Sequence, residues 1–187
     1  MFRIISDERA EELLKEYDPW IRTLSQRYPI PGAVIKAILY MEMTHMDAMD
    51  IVADAVVESD LFEKKDSSTG HAQIFGYVGL EAANFALDRG WSDYAALGIE
   101  SDHRLDVHNE EDVRLVWRIL NGDPLLNIEL AALNILKGAE EMTGRVDFPS
   151  YSETELKRVL TRYNAKSEAV TPYGEEAYTH YLRYAGA

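Results

Sequence analysis

The stretch Pro31–His45, PGAVIKAILYMEMTH, is apolar on nearly every side of a helix. That is the pattern of a helix enclosed by others, so the rest of the chain has to supply the walls. Ser6 or Asp7 caps a first segment with Leu13, Leu14 and Tyr17, and Asp18-Pro19 restarts a helix carrying Trp20, Ile21, Leu24 and Tyr28. MDIVADAVVESDLF, residues 49–62, predicts a further helix, with Asp47, Asp50 and Asp54 along one stripe. YVGLEAANFALDRG predicts a helix capped by Gly90, and Asn109 begins EEDVRLVWRIL, closed by Asn121 and Gly122. Pro124 opens the long segment PLLNIELAALNILKGAEEMTG, which ends at Gly144. Ser152 and Glu155 form a capping box ahead of LKRVLTRYNA, and Thr171-Pro172 start a last helix, YGEEAYTHYLRY. LGIESDHRLDV and GRVDFPSYS read as connections. No repeat, low-complexity tract or linker interrupts the series, so the expectation is one compact all-α domain over residues 1–187.

One segment departs from this pattern. KKDSSTGHAQIFGYVG, Lys64–Gly79, packs small and hydroxylated residues around Gly70 and sets Gln73 at the edge of an apolar run. It is neither a good helix nor a good strand. On its residues alone it reads as a tight turn capped by serines.

Composition excludes several classes of function. The absence of cysteine removes disulfides, thiolate metal sites and cysteine nucleophiles. No run of eighteen apolar residues exists, so no membrane insertion is expected. Nineteen basic against thirty-three acidic side chains give a net charge of −14, which disfavours nucleic acid and anionic lipid as partners. MFRIISDERAEELL lacks the basic start and apolar stretch of a signal peptide, so synthesis in the cytoplasm is expected.

Glu42 is the first candidate for chemistry. Ile35, Ile38 and Leu39 precede it by seven, four and three residues, and Tyr40, Met41, Met43 and Met46 flank it. A carboxyl held against apolar side chains is harder to ionise and suits a general acid; the alternative is a solvated outward Glu. Glu42 and His45 also form a Glu-x-x-His pair, the spacing of paired-metal sites in helical bundles. None of His71, His103, His108 and His180 has a Glu three residues before it, so no metal and no cofactor is expected. The acidic stripe of Asp47, Asp50 and Asp54 reads as a solvated face. Tyr163, Tyr173, Tyr178, Tyr181 and Tyr184 are either core or the lining of a groove.

Taken in order, these pieces resemble a known family. A buried helix ends in Glu42, SSTGHAQIF follows, then the alanine-rich NIELAALNIL, and then RYNA ahead of a tyrosine-rich helix beginning YGEEAY. This succession is similar to the lysozyme-like lytic transglycosylases, in the branch of the soluble lytic transglycosylases and goose-type lysozymes. It spans roughly residues 28 to 184. Its most specific pieces are Ser68-Thr69-Gly70-His71-Ala72-Gln73-Ile74 and the pair Tyr163-Asn164.

The resemblance implies a lysozyme-like fold, all-α with minimal β, made of a helical extension over 1–28 and a catalytic core over 29–187. It implies a cleft for peptidoglycan glycan strands, folded over by the segment around Gly70. Glu42 would protonate the glycosidic oxygen between N-acetylmuramic acid and N-acetylglucosamine, then deprotonate the C6 hydroxyl to give a 1,6-anhydro end. Gly70 would let the backbone approach the substrate, and Ser68, Thr69 and Gln73 would meet the sugars' polar groups. Tyr163 would orient Glu42, and Asn164 would hold the turn or the substrate. Asp47, Asp50, Asp60 and Asp66 are possible second carboxylates, in which case the enzyme is a hydrolytic muramidase. Met43 stands where the family usually carries Ser, and with the charge of −14 it favours a third possibility, an inactive glycan-binding or regulatory protein. The site of action implied is the cell wall, reached through a phage, a secretion machine or a longer precursor.

Overall fold

The computed structural model describes residues 5–46 and 67–186. The stripe Asp47, Asp50 and Asp54, the helix expected over 49–62, and the candidate carboxylates Asp60 and Asp66 all lie outside the described residues. Helix α1 runs from Asp7 to Arg27 as one element with Pro19 inside it, whereas the sequence suggested a restart there. Proline removes one helical hydrogen bond, to the carbonyl four residues back. Lys15 and Pro19 both face solvent, where water can take up that carbonyl, while Leu13, Leu14, Ile21 and Leu24 bury the opposite side above and below the break. Tertiary packing outweighs the local penalty.

Helix α2 spans Gly32–His45, α3 Gly76–Asp88, α4 Glu110–Gly122, α5 Pro124–Thr143, α6 Glu153–Asn164 and α7 Pro172–Ala185. The caps follow the sequence signals. Ser6 accepts from the Arg9 amide, Asn109 from the Glu111 amide and Thr171 from the Gly174 amide. Ser152 and Glu155 form the reciprocal capping box. Gly144 closes α5 in the left-handed region at φ 71°. A short 3₁₀ turn, Phe148–Ser150, lies within one of the expected connections.

The enclosed character of α2 holds: Val34, Ile35, Ala37 to Met41, Met43 and Thr44 are buried, and α2 packs against α1, α5 and α7. Helix α5 is enclosed still more completely. Every residue from Asn127 to Leu136 is buried, and the helix touches α1, α2, α3, α4 and α6. The side chains of α1 that are buried join the same apolar core as those of α2 to α7.

Helices α6 and α7 approach closely at Gly174. A Cβ there would stand 2.0 Å from Thr161 Oγ1 and 2.7 Å from the Lys157 carbonyl oxygen, so α7 can reach this position only through a residue without a side chain. The described residues are thus predominantly helical. Their sole β pairing is a hairpin of two-residue strands, β1 Ser68–Thr69 and β2 Ile74–Phe75, in which Ser68 faces Phe75 and Thr69 faces Ile74.

Candidate active site

The hairpin occupies the segment that was neither helix nor strand by sequence, and side chains from four helices hold it. From α5, Asn127 donates to the Thr69 carbonyl (3.0 Å) and accepts from the Ala72 amide (2.9 Å), bridging both sides of the loop. From α6, the Tyr163 hydroxyl donates to the Ala72 carbonyl at 2.7 Å. From α4, Trp117 Nε1 donates to Ser67 Oγ at 3.0 Å, and Asn121 Oδ1 accepts from the Thr69 hydroxyl at 3.0 Å. From α1, the Tyr17 hydroxyl is hydrogen-bonded to His71 Nδ1 at 2.7 Å. A short loop with few internal backbone pairs needs such outside partners, because buried peptide groups without them are costly.

Burial sorts the hairpin into two sides. Ser67, Thr69 and Ala72 point inward, while Ser68, Gln73, Phe75 and the largely buried Ile74 line a cleft of about 340 Å³. Glu42, on the last turn of α2, lines the same cleft, as do Asn134 of α5 and Tyr163 and Asn164 at the end of α6. Glu81, Arg162 and Lys166 also border a second hollow of about 330 Å³, so these three residues form a wall common to both. The cleft wall sets Arg162 and Lys166 against Glu42 and Glu81, a local balance in a chain whose net charge is −14.

The Glu42 carboxylate accepts a hydrogen bond from the Tyr173 hydroxyl, with Oη 2.5 Å from Oε1. Tyr173 follows Pro172 in the first turn of α7, and the close approach at Gly174 brings that turn to the cleft. Burial, the charge on Glu42 and the hydrogen bond to it together push the Tyr173 phenol well above its ordinary range. The hydroxyl therefore stays protonated and remains the donor. Burial, followed by the charge on Glu42, raises the Tyr163 phenol in the same way. The Tyr163 hydroxyl is spent on the Ala72 carbonyl, so the phenol that grips Glu42 belongs to Tyr173.

Five of the seven residues singled out by sequence, Glu42, Ser68, Gln73, Tyr163 and Asn164, come together around this cleft. Thr69 does not join them: its side chain is fully buried and bonded to Asn121 on the far side of the strand. Gly70 is also absent from the cleft wall. It sits at φ 69°, and a Cβ there would lie 2.3 Å from Asn127 Nδ2. Its bare Cα admits the asparagine that fastens the loop, whereas the resemblance implied an approach to substrate.

Ser68 and Gln73 face the cleft, but part of their polarity is used locally. The Ser68 hydroxyl donates to Gln73 Oε1 at 3.3 Å, and Gln73 Nε2 donates to the Gly70 carbonyl at 2.8 Å. Gln73 holds φ 45°, uncommon for a residue with a side chain, and its own hydrogen bond to Gly70 helps keep it there. Met43, directly after Glu42, is wholly buried in the core.

Five further contributors carry no distinct signal in the sequence. Tyr173 was visible only as one of an aromatic cluster, and Asn127 and Asn134 only as two polar letters in an alanine-rich run. Phe75 and Tyr77, 40% and 37% exposed, are two of the three exposed large apolar side chains among the described residues. They stand side by side on the cleft wall with ring centroids 5.7 Å apart. An exposed aromatic pair beside a carboxylate suits a ligand with one apolar face and polar edges.

His45 also lines the cleft, with Nδ1 2.7 Å from the Met41 carbonyl oxygen. Among the described residues, no three His, Asp or Glu side chains converge in a group able to hold a metal ion. None of the helices among them is long and apolar enough to cross a membrane. No protein-family model, no curated protein and no solved structure matches the chain.

Proposed function

We propose that the protein cleaves the glycan strands of peptidoglycan at the β-1,4 bond between N-acetylmuramic acid and N-acetylglucosamine, as a lytic transglycosylase of the lysozyme-like superfamily. The observation that carries this reading is the Glu42 carboxylate, held by Tyr173 at 2.5 Å, in a cleft that also bears Ser68, Gln73 and Asn164. Glu42, Ser68, Gln73 and Asn164 are residues the family resemblance singles out, and α2, the hairpin and α6 bring them together. The neighbouring hollow across Glu81, Arg162 and Lys166 lengthens the groove, as a polysaccharide needs.

In the proposed reaction Glu42 gives its proton to the glycosidic oxygen as the bond to the anomeric carbon breaks. The cation at that carbon is relieved by the substrate's own acetamido oxygen. Glu42, now a carboxylate, takes the proton from the C6 hydroxyl, whose oxygen closes on the anomeric carbon to leave a 1,6-anhydro end. One protein carboxylate serves both steps. The hydroxyl of Tyr173 holds Oε1 and so orients the carboxyl that carries the proton. Phe75 and Tyr77 supply an apolar wall against which a sugar ring can stack.

A specific feature favours a second reading, hydrolysis by a muramidase. Glu81 lies on the same cleft wall, paired with Lys137 Nζ at 3.0 Å, and is a carboxylate available to hold a water. Mass spectrometry of the released muropeptides separates the two. Anhydro ends support the transglycosylase, reducing ends with one added water support the hydrolase, and no release at all contradicts both.

A further inference from the structure

Asn127 and Asn134 lie seven residues apart on α5, two turns along one face of the helix. Both are buried, at 0% and 6% exposure, but their amides are used differently. Asn127 spends its oxygen and its nitrogen on the hairpin. Asn134 lines the cleft, and its carboxamide makes no hydrogen bond to any described side chain or carbonyl. A carboxamide this buried ordinarily finds partners within the protein, since an unpaired one is costly. One that is left open only toward a cleft is directed at whatever the cleft receives.

A primary amide donates and accepts at once. Its best complement is another amide, which offers one C=O and one N–H along a single edge. Ile74 and Val78 share the wall of the cleft and give an apolar surface for a small alkyl group. The combination fits an acetamido substituent: the amide edge on Asn134 and the methyl against Ile74 and Val78.

Resting on the proposed glycan-cleaving function, we infer that Asn134 is a specificity-determining residue that reads the N-acetyl group of a hexosamine and selects acetylated over de-N-acetylated strands. A free amine lacks the carbonyl acceptor and the methyl, and it leaves the Asn134 amide half paired where it opens onto the cleft. Discrimination of this kind exceeds what an apolar pocket alone achieves.

The test uses the full chain carrying Glu42→Gln, so that no ligand is consumed, and titrates it calorimetrically with tetra-N-acetylchitotetraose and with the glucosamine tetramer. The acetylated tetramer should bind at least about tenfold more tightly, the equivalent of one or two net hydrogen bonds. Adding Asn134→Leu, close in volume and without the amide, should remove most of that preference, chiefly by weakening binding of the acetylated tetramer, with the melting temperature undiminished. Asn134→Ala serves as the second variant should the leucine disturb packing, and the same loss of preference is expected. An equal affinity for the two tetramers before Asn134 is changed, or a preference that survives both substitutions, overturns the inference. Peptidoglycan release by the wild type is measured in parallel. Selective binding through Asn134 without release leaves the inference standing and removes the cleavage; release with an Asn134-independent preference does the reverse.

Discussion

Tyr173 Oη lies 2.5 Å from Glu42 Oε1, although the two residues are 131 positions apart in the chain. The hydroxyl belongs to the first turn of the last helix, and the carboxylate to the last turn of the helix at the centre of the α1–α2–α7 layer. Replacing Tyr173 by Phe keeps the ring and removes only the donor. Glycan release should fall about ten- to a hundredfold in kcat with little change in KM, because a group that orients an acid acts on the chemical step. Stability should fall by no more than about 3 kcal/mol, the upper range for one hydrogen bond to a charged group. A loss confined to KM would contradict the positioning role.

Asn127 should be among the most costly positions to change. Asn127→Leu leaves the Thr69 carbonyl and the Ala72 amide without their partner inside the core. Each orphaned group costs on the order of 1–3 kcal/mol, so a destabilisation of about 2–5 kcal/mol is expected in urea unfolding. Gly70→Ala should act in the same direction, since it adds a left-handed strain to a collision with the same asparagine. Midpoints equal to that of the wild type would show that the hairpin is held by other means.

The aromatic wall carries a prediction about binding. Phe75→Ala removes a 40% exposed ring that touches Tyr77 and contributes little to the core. Stability should stay within about 0.5 kcal/mol, as for other surface changes, while KM for soluble glycan fragments rises several-fold. Phe75→Trp should restore binding. A destabilised protein with unchanged KM would assign the ring a structural role.

Stability should also depend on pH through His71. Burial, and then the positive charge of Arg9, lower its pKa below the ordinary 6.5, with Glu16 opposing; Tyr17 is its hydrogen-bond partner. The folded protein therefore binds fewer protons at this site than the unfolded chain does. The contribution is fully present above 6.5 and is lost as pH falls through 6.5 toward the folded pKa. His180, also lowered chiefly by burial, acts in the same sense. Exposed His103 is raised by Asp102 and then Asp112 and acts in the opposite sense, above 6.5. In urea titrations between pH 7.5 and 5, His71→Gln should show a shallower fall in midpoint than the wild type. Superimposable pH profiles would contradict this assignment.

What the sequence disclosed was local. The caps at Ser6, Asn109, Ser152 and Thr171 and the stop at Gly144 appear where the letters put them, because each depends on partners within a turn. Pro19 was misjudged because its penalty is local, while the burial that offsets it, at Leu13, Leu14, Ile21 and Leu24, draws on distant helices. The site was legible as a set of residues but not as a set of contacts. Thr69 and Gly70 looked like cleft residues, and only the strand register and the position of Asn127 turn them inward. Tyr173 could not be told from its aromatic neighbours, because what distinguishes it is the crossing of α6 and α7 at Gly174.

The most direct test of the account is the release of soluble muropeptides from purified peptidoglycan by the wild type and by Glu42→Gln, a change of one oxygen for one amide nitrogen at the gripped carboxylate. The account predicts steady release of anhydro-ended fragments by the wild type and at least about a thousandfold less by the variant, the scale expected when a general acid is removed from a step that depends on it. Equal release by the two proteins would contradict it.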